Sequence, residues 1–174
     1  MNFQARCHRV ELLISDVDGV LTDGGLVFDD QGVETKKFHV RDGLGIKLWQ
    51  SAGYSFGIIT ARQSTIVQTR ADELKVDFLR QGREDKGAVL RDLSSERGIA
   101  LERMAYIGDD LPDLLPIQSV GLGVAVANAA LEVREAADHV TQSVGGQGAV
   151  RELVESILKA QGRWSDLLAE HYRT

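Results

Sequence analysis

Three observations predict an α/β fold on a parallel sheet. Short apolar β-type runs recur along the chain, helix-length amphipathic segments separate them, and glycines stop two of those segments. The first run is Val10–Ile14, and similar ones follow at Ser55–Ile59, Met104–Ile107 and Leu122–Val126, each too short for a helix and rich in Val, Ile or Tyr. The helical segments are Leu44–Ala52, stopped by Gly53; Ser64–Leu74; Glu84–Arg97, stopped by Gly98; and Ala129–Ala137. Alternation of this kind implies right-handed crossovers and a Rossmann-like parallel sheet with helices on both faces.

One section breaks the alternation. "LVFDDQGVETKKFHV", residues 26–40, has β-type residues on both sides of a turn-forming Asp29-Asp30-Gln31-Gly32 and reads as a β-hairpin projecting from the sheet. A glycine loop, "GGQGAVRE" at 145–152, then leads into a helix with Leu153, Val154, Ile157 and Leu158 on one face and a polar tail over about 162–174. With no repeat, Pro-rich linker or low-complexity stretch, residues 1–174 are expected to form one domain.

The 174 residues are 43% hydrophobic and 26% charged, an ordinary globular composition for a chain of this size. A net charge of −6 without clustered Lys and Arg disfavours a broad nucleic-acid surface. Cys7 stands alone, so no intrachain disulfide is possible and a reducing interior is the natural compartment. The first ten residues lack the apolar core of a signal peptide, and the longest weakly polar run, Val120–Leu131, is too short to span a bilayer. A cytoplasmic protein is expected.

In an open α/β sheet, ligands bind beyond the carboxyl ends of the strands. Asp16 and Asp18 follow the first predicted strand, Thr60 the second, and Asp109 and Asp110 the run "MAYIG". Four carboxylates converging on one edge would repel and raise one another's pKa unless a cation neutralised them. Hard oxygen ligands without His or Cys favour Mg²⁺. Thr60 and Lys86 add a hydroxyl and an ammonium suited to phosphate oxygens, which makes a phosphoryl site.

The ordered segments "DVDGVLTDG", "IITAR", "EDKGAVL" and "IGDDLPD" resemble the four motifs of the haloacid dehalogenase superfamily of aspartate-nucleophile phosphatases. The resemblance implies that Asp16 is the nucleophile forming an aspartyl-phosphate, and that Asp18 protonates the leaving alkoxide and then acts as base for the water. It implies Mg²⁺ held by the Asp16 carboxylate, the Asp18 backbone carbonyl and the Asp109 carboxylate, with Asp110 and Asp113 as supporting acids. Thr60 and Lys86 would bind the transferring phosphoryl group.

A narrower resemblance, carried by "DGVLTDGGLVFDDQGVETKKFHVRDGLGIKLW", "GDDLPDL" and "GGQGAVREL", is to the 3-deoxy-D-manno-octulosonate 8-phosphate phosphatase family. That family has no large cap domain, and the short spacings from Asp23 to Tyr54 and from Ala61 to Arg83 agree. The resemblance implies a homotetramer in which a neighbour's hairpin and tail help cover each site, and substrate contacts from Arg62 and Arg70 on the helix after Thr60. The implied substrate is the eight-carbon sugar acid phosphate of outer-membrane glycolipid (lipopolysaccharide) synthesis, with a nine-carbon sialic-type acid phosphate as the alternative. Two positions depart from the family pattern: Ala61 stands where glycine is common and Gln147 where arginine is common. A phospho-acceptor signalling domain is the alternative of another class, since it too gathers Asp, Thr and Lys on a parallel sheet. The motif order, with D-x-D first and the acidic pair after the lysine, separates the two. Asp42 reads as a helix N-cap or a substrate contact, and Asp23 as a turn residue at the start of the hairpin.

Overall fold

The computed structural model describes residues 2–172. The elements in chain order are α1 (Phe3–Cys7), β1 (Leu12–Ser15), β2 (Val27–Phe28), β3 (Glu34–Thr35), α2 (Val40–Ser51), β4 (Ser55–Ile59), α3 (Thr65–Leu74) and β5 (Phe78–Arg80). They continue with α4 (Lys86–Arg97), β6 (Met104–Gly108), α5 (Leu114–Ser119), β7 (Leu122–Ala125), α6 (Leu131–Ala136), β8 (His139–Val140), α7 (Ala149–Ala160) and α8 (Trp164–Tyr172).

Six strands form one parallel sheet in the order β5-β4-β1-β6-β7-β8, and β2 and β3 pair separately as an antiparallel hairpin. From β1 the chain moves outward to β4 and β5, then returns to β6 on the opposite side of β1. That reversal leaves a crevice at the carboxyl ends of β1 and β6, where an open α/β sheet receives its ligand. All four residues of β1 are buried, as the centre of a sheet covered on both faces requires. The helices fall into two groups: α7 packs on α2 and also meets α1 and α8, while α5 packs between α4 and α6.

The apolar stripe of α7 is buried as expected, with Leu153, Val154, Ile157 and Leu158 each fully enclosed. Opposite it on α2, Trp49 is fully buried and its indole N–H donates to the Ser55 carbonyl at 2.7 Å. The hairpin falls where residues 26–40 predict it. Asp29 shapes its turn by accepting from the amides of Gln31 and Val33.

Boundaries differ from the expectation in instructive places. Helix α2 begins at Val40 because His39, not Asp42, is its N-cap, with the imidazole Nδ1 accepting from the Arg41 amide. Asp42 lies inside the first turn of α2, and its carboxylate accepts from the amides of Gly148 and Arg151, so it caps a different helix, α7. Arg62 precedes α3 rather than lying on it, because that helix starts at Thr65. The sequence reading does not place α1, α5 or β8, each of six residues or fewer and without room for a periodic signal. The polar tail forms α8, anchored by buried Leu167; residues 173–174 of the expected tail lie outside the described residues.

Candidate active site

The loop after β1 carries the first two acids. Asp16 continues the β1 register, its amide donating to the Ile107 carbonyl of β6 at 3.1 Å, and the residue is only 8% exposed. The loop then folds around Thr22, a buried residue whose hydroxyl donates to the Val17 carbonyl and accepts from the Gly24 amide. Gly19 has φ of +91°, and a β-carbon there would stand 2.0 Å from Asp109 Oδ2. Only glycine lets the loop pass this close to the acid of the neighbouring strand. The glycine loop at 145–146 presses on the outside of the same turn: a β-carbon on Gly145 would meet the Gly19 carbonyl oxygen at 1.7 Å. These glycines are therefore needed for backbone packing behind the acids.

Asp109 and Asp110 follow β6, and Asp113 closes the next turn. Asp110 and Asp113 form a reciprocal capping box around residues 111–113. Asp113, 1% exposed, spends both oxygens on donors. Oδ1 accepts from Lys86 Nζ and from the Tyr106 hydroxyl, each at 2.7 Å, and Oδ2 accepts from the amides of Asp109 and Asp110.

Lys86 is the first residue of α4, whose N-cap Asp85 accepts from the Ala88 amide. Its side chain is buried, with Nζ 3.0 Å from Asp16 Oδ2 as well as 2.7 Å from Asp113. Thr60 directly follows β4 and is 2% exposed; its amide donates to the Arg80 carbonyl of β5, which fixes it at the cleft. Asp16, Asp18, Thr60, Arg62, Lys86, Asp109, Asp110 and Asp113 thus line one cleft of about 350 Å³, with Ala61 at its edge. A groove of about 300 Å³ beside Arg80 and Glu96 lies away from these acids and is crossed by an Arg80–Glu96 ion pair.

The electrostatics call for a cation. Burial pushes the Asp16 carboxyl up to about 7, Asp113 adds to the shift, and Lys86 opposes it. Burial likewise pushes Asp109 up to about 7, with Asp16, Asp113 and Asp110 adding like charge. Burial works against the Lys86 ammonium, but Asp16 and Asp113 outweigh it and hold its pKa above the ordinary value. Carboxylate oxygens of Asp16, Asp109 and Asp113 lie within 4.8 Å of one another, and Asp109 Oδ1 is buried without a hydrogen-bond partner. An orphaned carboxylate oxygen beside a second acid suits a hard divalent cation, which would supply the missing partner and remove the repulsion. Asp113 fits a supporting place better than a ligand's, because its acceptor sites are already filled.

The hairpin brings residues that the sequence reading leaves unassigned. Lys36, with a side chain 1% exposed, pairs with Asp18 Oδ1 at 2.5 Å and with Glu34 at 3.3 Å. Glu34 also accepts from Arg62 at 2.7 Å and from the Ser64 hydroxyl at 3.2 Å, while Arg62 Nε lies 3.7 Å from Asp18 Oδ2. The signal for this network is the strand period of two, which puts Glu34 of β3 and Lys36, just past its end, on one face of the extended chain. Tyr106 is the other unassigned residue; inside an apolar strand it carries no sequence mark of its hydroxyl's partner.

Arg70, an expected substrate contact, and Gln147, a departure from the family pattern, stand outside this cleft. Arg70 packs over the Phe38 ring and pairs with Glu73 at 2.7 Å, in a separate small pocket with Asp42 and Leu74. Gln147 is exposed beside Arg41 and Arg151, away from the cleft. No helix among the described residues is long and apolar enough to cross a membrane.

Comparison with known proteins points to one family. A family model described as haloacid dehalogenase-like hydrolase matches residues 79–153. The 3-deoxy-D-manno-octulosonate 8-phosphate phosphatase of Haemophilus influenzae is 41% identical over 162 residues, covering 93% of this chain and 90% of that protein. Its counterpart in Escherichia coli K12 is 43% identical over 159 residues, covering 91% of this chain and 85% of the relative. Among solved structures, the phosphatase of that name from Moraxella catarrhalis, in complex with magnesium, phosphate and KDO, superposes with a TM-score of 0.94 at 41% identity, covering 96% of each chain. A probable phosphatase of the YrbI family from Pseudomonas syringae gives a TM-score of 0.95 at 48% identity, covering 97% of this chain and 96% of that one.

Proposed function

The chain belongs to the 3-deoxy-D-manno-octulosonate 8-phosphate phosphatase family of haloacid dehalogenase-like phosphoric monoester hydrolases, and we propose that its own substrate is 3-deoxy-D-manno-octulosonate 8-phosphate. The reaction releases the free sugar acid and phosphate through an aspartyl-phosphate on Asp16. The observation that carries this reading is the buried Lys86 at 3.0 Å from Asp16 Oδ2, with Asp113 behind it. An ammonium so placed favours the ionised form of the nucleophile against the burial that opposes it, and meets the phosphoryl oxygens as charge builds on them.

The resident cofactor is Mg²⁺, which the magnesium in the Moraxella catarrhalis relative supports, and Asp16, Asp109 and the Asp18 carbonyl would hold it. When bound it neutralises the acids and polarises the phosphoryl group. The chain's residues do the rest. An Asp16 oxygen attacks phosphorus in line with the departing sugar oxygen. Asp18 passes a proton to that oxygen, because a sugar alkoxide is a poor leaving group near neutral pH. Asp18 then takes a proton from the water that cleaves the aspartyl-phosphate. Thr60 and Lys86 bind the phosphoryl oxygens, and Arg62, at the mouth and 43% exposed, is placed for the sugar-acid carboxylate.

The molecule works as a cytoplasmic homotetramer. Leu26, Val27, Phe28 and Val33 on the hairpin are all more than half exposed, an apolar patch that a second copy would cover. Arg70 then serves from the hairpin base. The test is a steady-state comparison of eight- and nine-carbon sugar-acid phosphates. A higher kcat/KM on the eight-carbon acid is expected; a preference for the nine-carbon acid would replace the substrate and leave the chemistry standing.

A further inference from the structure

We propose that Lys36 is a positioning residue for the proton donor, holding one oxygen of Asp18 and leaving the other for the leaving group. The inference rests on the phosphatase reading above and adds a residue to it.

A lysine with a side chain 1% exposed needs a partner, since an ammonium is not buried without compensation. The surroundings make the burial notable. The first strand of the hairpin on which Lys36 sits is exposed, and its neighbour Lys37 lies on the surface at 75% exposure, paired with Asp23. Lys36 turns inward, onto Asp18 Oδ1, and Glu34, on the same face, braces it at 3.3 Å. Glu34 is itself fixed by Arg62 and the Ser64 hydroxyl. The hairpin therefore delivers a cation to the acid and anchors it from two sides.

Lys36 occupies Oδ1, and Oδ2 faces Arg62 across 3.7 Å at the open side of the cleft. Oδ2 is thus the oxygen that exchanges the proton. In the first step a bond forms between an Asp16 oxygen and phosphorus, the phosphorus bond to the sugar oxygen breaks, and the proton on Asp18 Oδ2 moves to that departing oxygen. The electron pair stays on Asp18, whose new negative charge develops beside the Lys36 ammonium. In the second step a water oxygen bonds to phosphorus, the aspartyl-phosphate bond breaks, and the water proton returns to Asp18. Lys36 favours the first transition state because charge appears next to it there.

The proposal predicts a dependence on the leaving group that a packing role would not produce. An alkyl phosphate needs the proton, whereas p-nitrophenyl phosphate leaves as a stabilised phenolate and needs it little. Lys36→Met and Lys36→Gln are each expected to lose kcat on the sugar-acid phosphate by about tenfold or more beyond any loss on p-nitrophenyl phosphate. Lys36→Arg, which keeps the cation, is expected to restore most of that ratio. Equal losses on both substrates would overturn the proposal and leave Lys36 as a hairpin anchor; no loss on either would overturn it too. If the wild type turned over other alkyl phosphates but not the sugar-acid phosphate, the substrate assignment would fall while the alkyl-to-aryl ratio still judged Lys36.

Discussion

The Tyr106 hydroxyl and Lys86 Nζ meet on the same oxygen of Asp113, each at 2.7 Å. Tyr106 belongs to β6 and Lys86 to α4, so Asp113 ties the central sheet to the helix that carries Lys86. Burial raises the Tyr106 hydroxyl well above its ordinary pKa, and the neighbouring acids add to the effect, so it acts as a donor throughout the working range.

Tyr106→Phe removes that donor without removing the ring. A hydrogen bond to a charged acceptor is worth about 1.5–3 kcal/mol, so a stability loss of that order is expected in a denaturant titration. Activity should fall mainly in kcat, because Lys86 loses its fixed reach toward Asp16. Unchanged kinetics at reduced stability would confine Tyr106 to folding.

Asp42 offers a prediction away from the chemistry. Its carboxylate caps α7 from inside α2, 2% exposed, and burial raises its pKa despite the amides of Arg151 and Gly148. Asp42→Ala should cost about 1–2 kcal/mol as a lost cap, read from thermal or denaturant unfolding. Asp42→Asn, which keeps an acceptor, should recover part of it.

The acid cluster makes stability and metal binding depend on pH. Asp16 and Asp109, both raised to about 7, hold protons in the fold that the unfolded chain releases above about pH 4. Their contribution to stability is therefore complete below about pH 4 and lost as pH rises through about 7. Mg²⁺ acts in the opposite sense, since it binds the ionised carboxylates. Added Mg²⁺ should raise the melting temperature more at about pH 8 than at about pH 5.5, and chelation should remove both that gain and the activity.

Much of the fold was legible because its signals are local. Val10–Ile14 and Met104–Ile107 announce themselves as buried strands, and Gly53 and Gly98 mark helix ends. The site acids were legible because the end of a parallel strand is a place where carboxylates need a reason. What escaped depends on partners distant in sequence. Asp42 looks like the cap of its own helix, yet its acceptors reach Gly148 and Arg151 more than a hundred residues on. Lys36 looks like half of a solvated lysine pair until β3 turns it onto Asp18. The glycines at 145–146 read only as a loop before a helix, and the fold shows that they let one backbone press on another.

The central claim is that Asp16 is the nucleophile of a Mg²⁺-dependent phosphatase. The most direct measurement is phosphate release from 3-deoxy-D-manno-octulosonate 8-phosphate by the wild type and by Asp16→Asn, both with Mg²⁺ and both verified as folded. The wild type should turn over the substrate, and Asp16→Asn should fall by about 10³-fold or more. Substantial phosphate release by the folded Asp16→Asn variant would contradict it.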